Sequence, residues 1–380
     1  MHHTLRSSLP LAAAALLALL SASCSKTPSS TIRIGEYASL TGKEAAYGET
    51  SHKGILLAVE ELNARGGVLG RPLELLTEDN QSKQGESATV VKKLITRDQA
   101  VALLGEVASI RSLEAAPVAQ HYGIPMVSSA SVNTKVTEVG DCIFRVCFVD
   151  SFQGRVLAKF ALDHLHARRV AIVTSVSNAY SVGMTRIFTE NFTAGGGTIV
   201  ADQKYSEGDK DFRAQLTAIK AASPDAIIAT GYYTEAALLC KQARSLGLTL
   251  PIFGGDGWDA PALIEIGGDA VEGTYFSTHY SPDNPSAEVQ QFNQRYRARW
   301  GAVPDAWAAL GYDSALVLAD ALARAGTTEP HALRAALVAT KNFPAVTGRI
   351  TIDAQRNASK SAVILTVKNG KYQFVTSVAP

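Results

Sequence analysis

The feature of this chain that most constrains its fold is a regular alternation of short apolar β-rich runs with amphipathic helical segments, which begins at Thr31. Thr31–Ala38 is predicted as a strand, and the helix after it carries an apolar face made of Ile55, Leu56, Val59 and Leu62. Gly66-Gly67 then marks the end of that helix. The alternation continues as far as the strand predicted at Pro125–Ser128. Strands separated by helices of this length predict βαβ units and a parallel sheet.

The alternation starts again after Asp150 and continues to a strand at Pro251–Phe253. We therefore predict an α/β fold with two Rossmann-like, doubly wound lobes and a ligand cleft between them. Three amphipathic helices follow, near 286–300, 306–325 and 330–338. The chain ends in β structure, where Asn369-Gly370 lies between two alternating apolar runs and predicts a hairpin.

The N-terminus predicts export from the cytoplasm. Arg6 precedes an apolar run, Leu9–Leu20, and small residues then lead to Cys24, which is the pattern of a secretory signal. The run is too short to span a bilayer comfortably. The segment 1–24 resembles the signal of bacterial lipoproteins, in which the cysteine is lipidated, although Ser21 replaces the usual leucine three places before the cysteine. Ordinary cleavage nearby is the alternative, and residues 25–30 are predicted to be a tether.

The composition and the missing motifs argue against several classes of function. The 36 basic and 35 acidic residues nearly balance, and no basic block is present, so a nucleic-acid partner is not expected. The cysteines of the mature body, Cys142, Cys147 and Cys240, have no metal-site spacing, and we predict that they are buried small hydrophobes. The motifs of nucleotide-binding loops, serine hydrolases and zinc proteases are missing. We therefore expect no cofactor, no metal and no enzymatic activity.

Ligands of open α/β sheets lie beyond the carboxyl ends of the strands, close to helix N-termini. Ser109 follows one predicted strand and begins a helix, where it can cap the helix, contact an anion or do both. Asp256 follows another strand and stands among Gly254, Gly255 and Gly257. A carboxylate there can pair with an ammonium group or can stabilise a turn, and the sequence leaves both roles open.

Several motifs, taken in order, resemble one family: Ala46-Tyr47-Gly48, Glu61–Gly70, Phe144-Arg145, Gln242-Ala243-Arg244 and Gly311-Tyr312-Asp313. Together they resemble the branched-chain amino-acid-binding proteins, which are type I periplasmic binding proteins of ABC transporters. The resemblance covers nearly all of the chain from Thr31. It implies that the chain crosses three times between discontinuous lobes. The first lobe would then hold residues 31–149 and 281–344, and the second residues 150–280 and 345–380.

The resemblance also implies a ligand site. Ser109 would bind the α-carboxylate of an amino acid, Ser131 and Val132 would offer main-chain groups, and Asp256 would pair with the ammonium group. Val132 lacks the hydroxyl of the family's threonine, and Asp256 is shorter than the usual glutamate. The family's cleft tyrosines correspond to Tyr47, Tyr180 and Tyr232. Trp307 is either a wall of the side-chain pocket or an ordinary core residue.

The function that the resemblance implies is an extracytoplasmic solute-binding protein. It would bind a branched-chain or other small apolar amino acid by lobe closure, deliver it to the permease subunits of an ABC transporter, and attach to a membrane through a lipid on Cys24. A sensor of the same fold for amides or aromatic acids is the alternative, and an enzyme is disfavoured because no nucleophile–base set is present.

Overall fold

The structure is a computed structural model that describes residues 1–2 and 31–379, so the predicted signal segment, Cys24 and the tether 25–30 lie outside the described part. The strands, in chain order, are β1 Ile32–Ala38, β2 Leu73–Asp79, β3 Ala102–Leu104, β4 Met126–Ser128, β5 Ile143–Arg145, β6 Arg169–Ser175, β7 Thr198–Tyr205, β8 Ala226–Ala229, β9 Ile252–Gly254, β10 Tyr275–Thr278, β11 Phe343–Ala345, β12 Gly348–Ile352, β13 Ala358–Ser359, β14 Ala362–Lys368 and β15 Lys371–Val378.

The helices of the described residues are α1 Ala45–Ala64, α2 Glu86–Thr96, α3 Ser109–Tyr122, α4 Lys135–Glu138, α5 Asp150–Asp163, α6 Ala179–Ala194, α7 Arg213–Ala222, α8 Tyr233–Ser245, α9 Pro261–Gly267, α10 Ala287–Trp300, α11 Ala306–Ala325 and α12 Pro330–Val338.

Two sheets organise the chain into two lobes. The first sheet is parallel and has the order β2-β1-β3-β4-β5. The second has the order β15-β14-β10-β9-β8-β6-β7, in which β10, β9, β8, β6 and β7 are parallel and the last two strands of the chain are antiparallel. The predicted fold class, two doubly wound α/β lobes, is therefore confirmed.

The hairpin predicted at the C-terminus is also confirmed, because β14 and β15 pair on either side of Asn369-Gly370. Both turn residues have positive φ, 53° for Asn369 and 66° for Gly370. A two-residue turn of this kind requires positive φ at both positions, and asparagine and glycine accept it more readily than other residues do.

A third sheet, β11-β12-β13, differs from what the sequence predicted. Residues 345–380 were all expected in the second lobe. Instead, the Arg356 carbonyl accepts a hydrogen bond from the main-chain N–H of Arg145, and the Arg356 side chain donates one to the Ile143 carbonyl. This small sheet is therefore bonded to β5 of the first lobe. The chain therefore passes to the second sheet at Lys360 and Ser361, between β13 and β14. Strands of two to five residues carry too little periodicity to reveal this pairing.

Helices α1 and α11 pack closely in the first lobe. A Cβ on Gly54 would lie 1.9 Å from the Ala308 carbonyl oxygen, and one on Gly311 would lie 2.3 Å from that of Ser51, so only glycine permits this approach. Of the described helices, α11 alone is long and apolar enough to span a membrane, and 83% of its apolar stretch is buried inside the protein. It is therefore a core helix of the lobe.

The three connections between the lobes lie side by side. The Phe148 ring, in the first connection, stacks on the His279 ring in the second, with centroids 3.7 Å apart. Lys360, in the third, donates to the Val146 carbonyl at 3.3 Å. Cys142, Cys147 and Cys240 are free and buried, as predicted.

Candidate functional site

A cavity with about 240 Å³ of empty space lies between the two lobes. It is lined by the residues that follow strands of both sheets and by two aromatic residues of the first-lobe helices: Tyr47, Val107, Ala108, Ser109, Ala130, Val132, Tyr180, Tyr232, Asp256, Gly257 and Trp307. Its lining comes from both lobes, as expected for a solute site between two open sheets.

One end of the cavity is the N-terminus of α3. Ser109 is the first residue of this helix, 2% exposed, and its hydroxyl oxygen accepts the Asn133 N–H at 3.2 Å. That bond leaves the hydroxyl proton free to be donated. The main-chain N–H of Ser109 has no acceptor among the described residues, as expected in a first helical turn. A free hydroxyl proton, an unpaired N–H and the positive end of a helix together favour an anion.

The loop after β4 supplies the next part of the lining, but not through Ser131. The Ser131 hydroxyl donates to the Glu106 carbonyl at 2.9 Å, and its own carbonyl accepts a hydrogen bond from the buried Arg145 guanidinium. Its polar groups are therefore occupied inside the first lobe, and the cavity is lined by Ala130 and Val132 instead. This differs from the sequence prediction for Ser131 and agrees with the placement of Val132.

The opposite end of the cavity carries a carboxylate of the second lobe. Asp256 begins a short 3₁₀ turn directly after β9 and is 2% exposed. Its Oδ2 is 2.9 Å from Nε2 of His279. Its Oδ1 is buried and has no hydrogen-bond partner among the residues that the structure describes. A buried carboxylate oxygen without a partner is costly, so this end of the cavity is suited to a cation.

Aromatic rings form the wall between the two ends. The Tyr180 and Tyr232 rings stack with centroids 5.5 Å apart, and the Tyr47 ring contacts both Tyr232 and Trp307 edge-on, at 5.3 and 5.2 Å. Burial, followed by the charge of Asp256, raises the pKa of the Tyr180 hydroxyl well above its ordinary value. The ring therefore stays neutral, and it presents an apolar face beside the carboxylate.

The same rings also join the lobes. The Tyr47 hydroxyl, from α1, donates to the Gly257 carbonyl, and Trp307 Nε1, from α11, donates to the Asp259 carbonyl. Trp307 is thus both a wall of the cavity and a bridge between the lobes. Within the second lobe, the loop after β9 packs closely on the Tyr180 ring because it is rich in glycine: a Cβ on Gly255 would lie 2.3 Å from the Tyr180 hydroxyl.

Contacts at the rim hold the lobes closed around the cavity. The Tyr233 hydroxyl donates to the Lys43 carbonyl at 2.9 Å, and Asn133 Nδ2 donates to the Ala179 carbonyl at 2.8 Å. The Lys43 ammonium pairs with Glu207 across the opening. The two lobes are therefore in direct contact around the opening of the cavity, as in the closed form of a two-lobed protein.

Two buried carboxyl groups meet just behind the cavity wall. Burial, and then the charge of Asp305 from the first lobe, raise the pKa of Asp259 of the second lobe to about 8. Burial raises the pKa of Asp305 to about 6. Asp305 caps α11 by accepting the Ala308 N–H at 2.8 Å. The closed form therefore favours a protonated Asp259.

A second, larger groove of about 890 Å³ opens on the hinge side, lined by residues such as Tyr280, Val346 and Arg349. Val346 and Thr347, which line it, donate their main-chain N–H groups to Asp313 at 2.8 and 2.9 Å, so these donors are already used inside the protein. The cavity between the lobes, where Ser109 and Asp256 keep polar groups without a partner among the described residues, is the better candidate site.

The structure thus gathers six of the predicted ligand residues at one cavity: Tyr47, Ser109, Val132, Tyr180, Tyr232 and Asp256. Sequence reasoning missed Ala130, one residue from the predicted Ser131, and His279. Since His279 directly follows β10, the rule that sites lie beyond strand ends would have pointed to it.

Comparison with known proteins shows the family to which the chain belongs. The model of the family described as "Periplasmic binding protein" matches residues 31–371. The chain is 33% identical over 328 residues to the Leu/Ile/Val-binding protein BraC3 of Rhizobium johnstonii, covering 84% of this chain and 87% of that one.

Two solved structures are similar over almost their whole length. A leucine binding protein, LivK, from Thermotoga maritima has a TM-score of 0.88 and 41% identity, over 92% of this chain and 99% of the other. The branched-chain amino acid transporter substrate binding protein LivJ from Streptococcus pneumoniae, solved in complex with isoleucine, has a TM-score of 0.88 and 35% identity, over 92% of this chain and 100% of the other.

Proposed function

Because this chain belongs to the periplasmic binding protein family, we propose that it is the extracytoplasmic solute-binding protein of an ABC transporter and that its cavity binds a branched-chain amino acid. Its relatives are binding proteins of transporters, and this chain is likewise a binding protein and not an enzyme.

The main support for the proposal is that one part of the cavity lining favours an anion and another part favours a cation. Ser109 at the start of α3 offers a hydroxyl proton and an N–H on the first-lobe side, and Asp256, whose Oδ1 has no partner among the described residues, lines the second-lobe side. An α-amino acid is a zwitterion that carries a carboxylate and an ammonium group on the same carbon. Each end of the cavity therefore complements one of its charges.

The lining between the two ends selects the side chain. Val107, Ala108, Ala130 and Val132 are apolar, and the remaining wall is aromatic. None of the charged side chains of the described residues other than Asp256 lines this cavity. A polar side chain would lose its hydrogen bonds to water there without replacement, whereas leucine, isoleucine or valine gains from burial.

Lobe closure completes the site. Ser109 and Val132 belong to the first lobe, and Asp256 and Tyr180 to the second, so a ligand makes all its contacts only when the lobes are together. Binding therefore shifts the population toward the closed form, and that form is the one we propose a permease recognises.

We also propose that Cys24, in the segment outside the described residues, carries a lipid that anchors the protein to a membrane. The small residues before it and the short apolar run support this. Mass spectrometry of the mature N-terminus tests the anchor, and an unmodified terminus downstream of Cys24 contradicts it.

A thermal-shift screen of the twenty amino acids, simple amides and aromatic acids tests the ligand class. A ligand that binds only the folded protein stabilises it by about 2.7 kcal/mol at a concentration 100 times its Kd. We expect leucine, isoleucine or valine to give the largest shifts. Stabilisation by aromatic carboxylates and by no amino acid would contradict the proposed ligand.

A further inference from the structure

We propose that His279 is a positioning residue for the ligand's ammonium group: its Nε2–H holds one oxygen of Asp256 so that the other faces the cavity. This inference rests on the proposed function, since it names a role within the same site. His279 itself is not among the residues that line the cavity and acts only through Asp256.

The contacts of the two ring nitrogens favour one position for the proton. Nε2 lies 2.9 Å from Oδ2 of Asp256, and an ionised carboxylate only accepts hydrogen bonds, so Nε2 is the donor. Nδ1 is buried and has no partner among the described residues. A proton on Nδ1 would therefore be a buried donor without an acceptor. Both facts favour the neutral ring with hydrogen on Nε2.

The neutral state matters for the charge of the site. Burial, the largest influence on this ring, lowers the pKa of His279, and the nearby Lys360 ammonium acts in the same direction, against the raising effect of Asp256. A neutral His279 leaves the whole negative charge of Asp256 available to the ligand. A positively charged ring would cancel that charge and weaken the attraction for an ammonium group.

The ring is itself held from the hinge. His279 follows β10 in the second connection between the lobes, and it stacks on Phe148 of the first connection with an angle of 24° between the rings. Both residues are buried. The orientation of the imidazole, and hence the rotamer of Asp256, is therefore set by packing at the lobe connections.

Two substitutions separate the hydrogen bond from the stacking. His279→Phe keeps an aromatic ring against Phe148 and removes the donor, whereas His279→Gln keeps an N–H donor at about the Nε2 position and removes the ring. We expect His279→Phe to weaken leucine binding about 10- to 100-fold, the range for loss of a hydrogen bond to a charged group, and His279→Gln to recover most of that loss.

Calorimetry with leucine on a double-mutant cycle shows whether His279 acts through Asp256. The Asp256→Asn variant lacks the charge that His279 is proposed to position. In that background, His279→Phe should weaken leucine binding by at most about threefold. A loss as large as in the wild-type background, or no recovery with His279→Gln, would overturn the proposal. Absence of leucine binding by the unsubstituted protein would instead refute the proposed function.

Nitrogen NMR of the histidine rings in the unsubstituted, leucine-bound protein gives a test that does not depend on any variant folding. The proposal predicts a neutral His279 with the proton on Nε2. A ring protonated on Nδ1 alone, or on both nitrogens at pH 7, would overturn it.

Discussion

The Tyr47 hydroxyl, on a helix of the first lobe, donates a hydrogen bond to the main-chain carbonyl of Gly257, which follows a strand of the second lobe. Both residues also line the cavity, so this bond joins the two lobes at the proposed ligand site. We therefore propose that closure of the lobes and completion of the binding site are one event.

Replacing Asp256 with Asn should weaken binding of leucine strongly. The change keeps the size of the side chain and its ability to form the turn but removes the charge opposite the ammonium group. Removing one partner of a buried charge pair is expected to reduce the binding free energy by about 2–5 kcal/mol, which raises the Kd about 30- to 5,000-fold. Isothermal titration calorimetry measures it. Asp259→Asn is the matched control, a buried aspartate in the same loop that does not line the cavity, and it should not weaken leucine binding, since asparagine resembles the protonated aspartate of the closed form.

Replacing Ser109 with Ala should weaken binding at the carboxylate end by a smaller amount. The variant loses the hydroxyl donor but keeps the N–H and the helix terminus, so we expect a loss of about 1.5–3 kcal/mol. Ser112→Ala, one turn along α3, is the control, because Ser112 is buried but is not part of the cavity lining. Equal loss of affinity in the two variants would show that Ser109 acts only on the stability of the helix.

The ion pair between Lys43 and Glu207 should contribute little to closure. The Lys43 side chain is 45% exposed, and surface pairs of this kind contribute about 0–1 kcal/mol. Lys43→Met should therefore raise the Kd for leucine at most about fivefold, and the difference should shrink in 0.5 M salt because exposed charges are screened. A larger, salt-independent loss would mean that this pair is a principal contact of the closed form.

The buried carboxyl group of Asp259 should make stability depend on pH. Its pKa is raised from 3.8 to about 8 in the folded protein, so between about pH 4 and pH 8 the folded state keeps a proton that the unfolded chain has lost. The free energy of unfolding then falls as pH rises across this window, by at most about 1.4 kcal/mol per pH unit from this group. Asp259→Asn removes this contribution. In urea unfolding at pH 5, 6.5 and 8, the free energy of unfolding of the variant relative to the wild type should therefore rise with pH. The same pH dependence in both proteins would contradict a raised pKa of Asp259.

The two sheets could be predicted from sequence because short β-rich segments alternate along the chain with amphipathic helices. The hairpin at Asn369-Gly370 could be predicted because its turn needs residues that accept positive φ. The three-stranded sheet of residues 343–359 could not, since its strands are short and their partners are fixed by contacts such as that of Arg356 with β5.

The binding site was predictable in its residue types and less so in its register. Ser109 and Asp256 follow strands, and a carboxylate among glycines is conspicuous in a sequence. Ser131 and Ala130 differ by one position, and only the contacts of Ser131 with Glu106 and Arg145 show that it faces the interior of the lobe. His279 and Asp256 each follow a strand, but their contact joins residues 23 positions apart and depends on the pairing of β9 with β10, which local sequence does not reveal.

The central claim is that this cavity recognises the two charges of an amino acid and its apolar side chain together. Calorimetric titration of the wild-type protein with leucine, 4-methylpentanoate and 3-methylbutylamine tests it most directly, because the second ligand lacks the ammonium group and the third lacks the carboxylate. The account predicts tight binding of leucine and a loss of about 2 kcal/mol or more for each analogue, since each leaves one end of the cavity unpaired. Binding of 4-methylpentanoate as tight as that of leucine would contradict it.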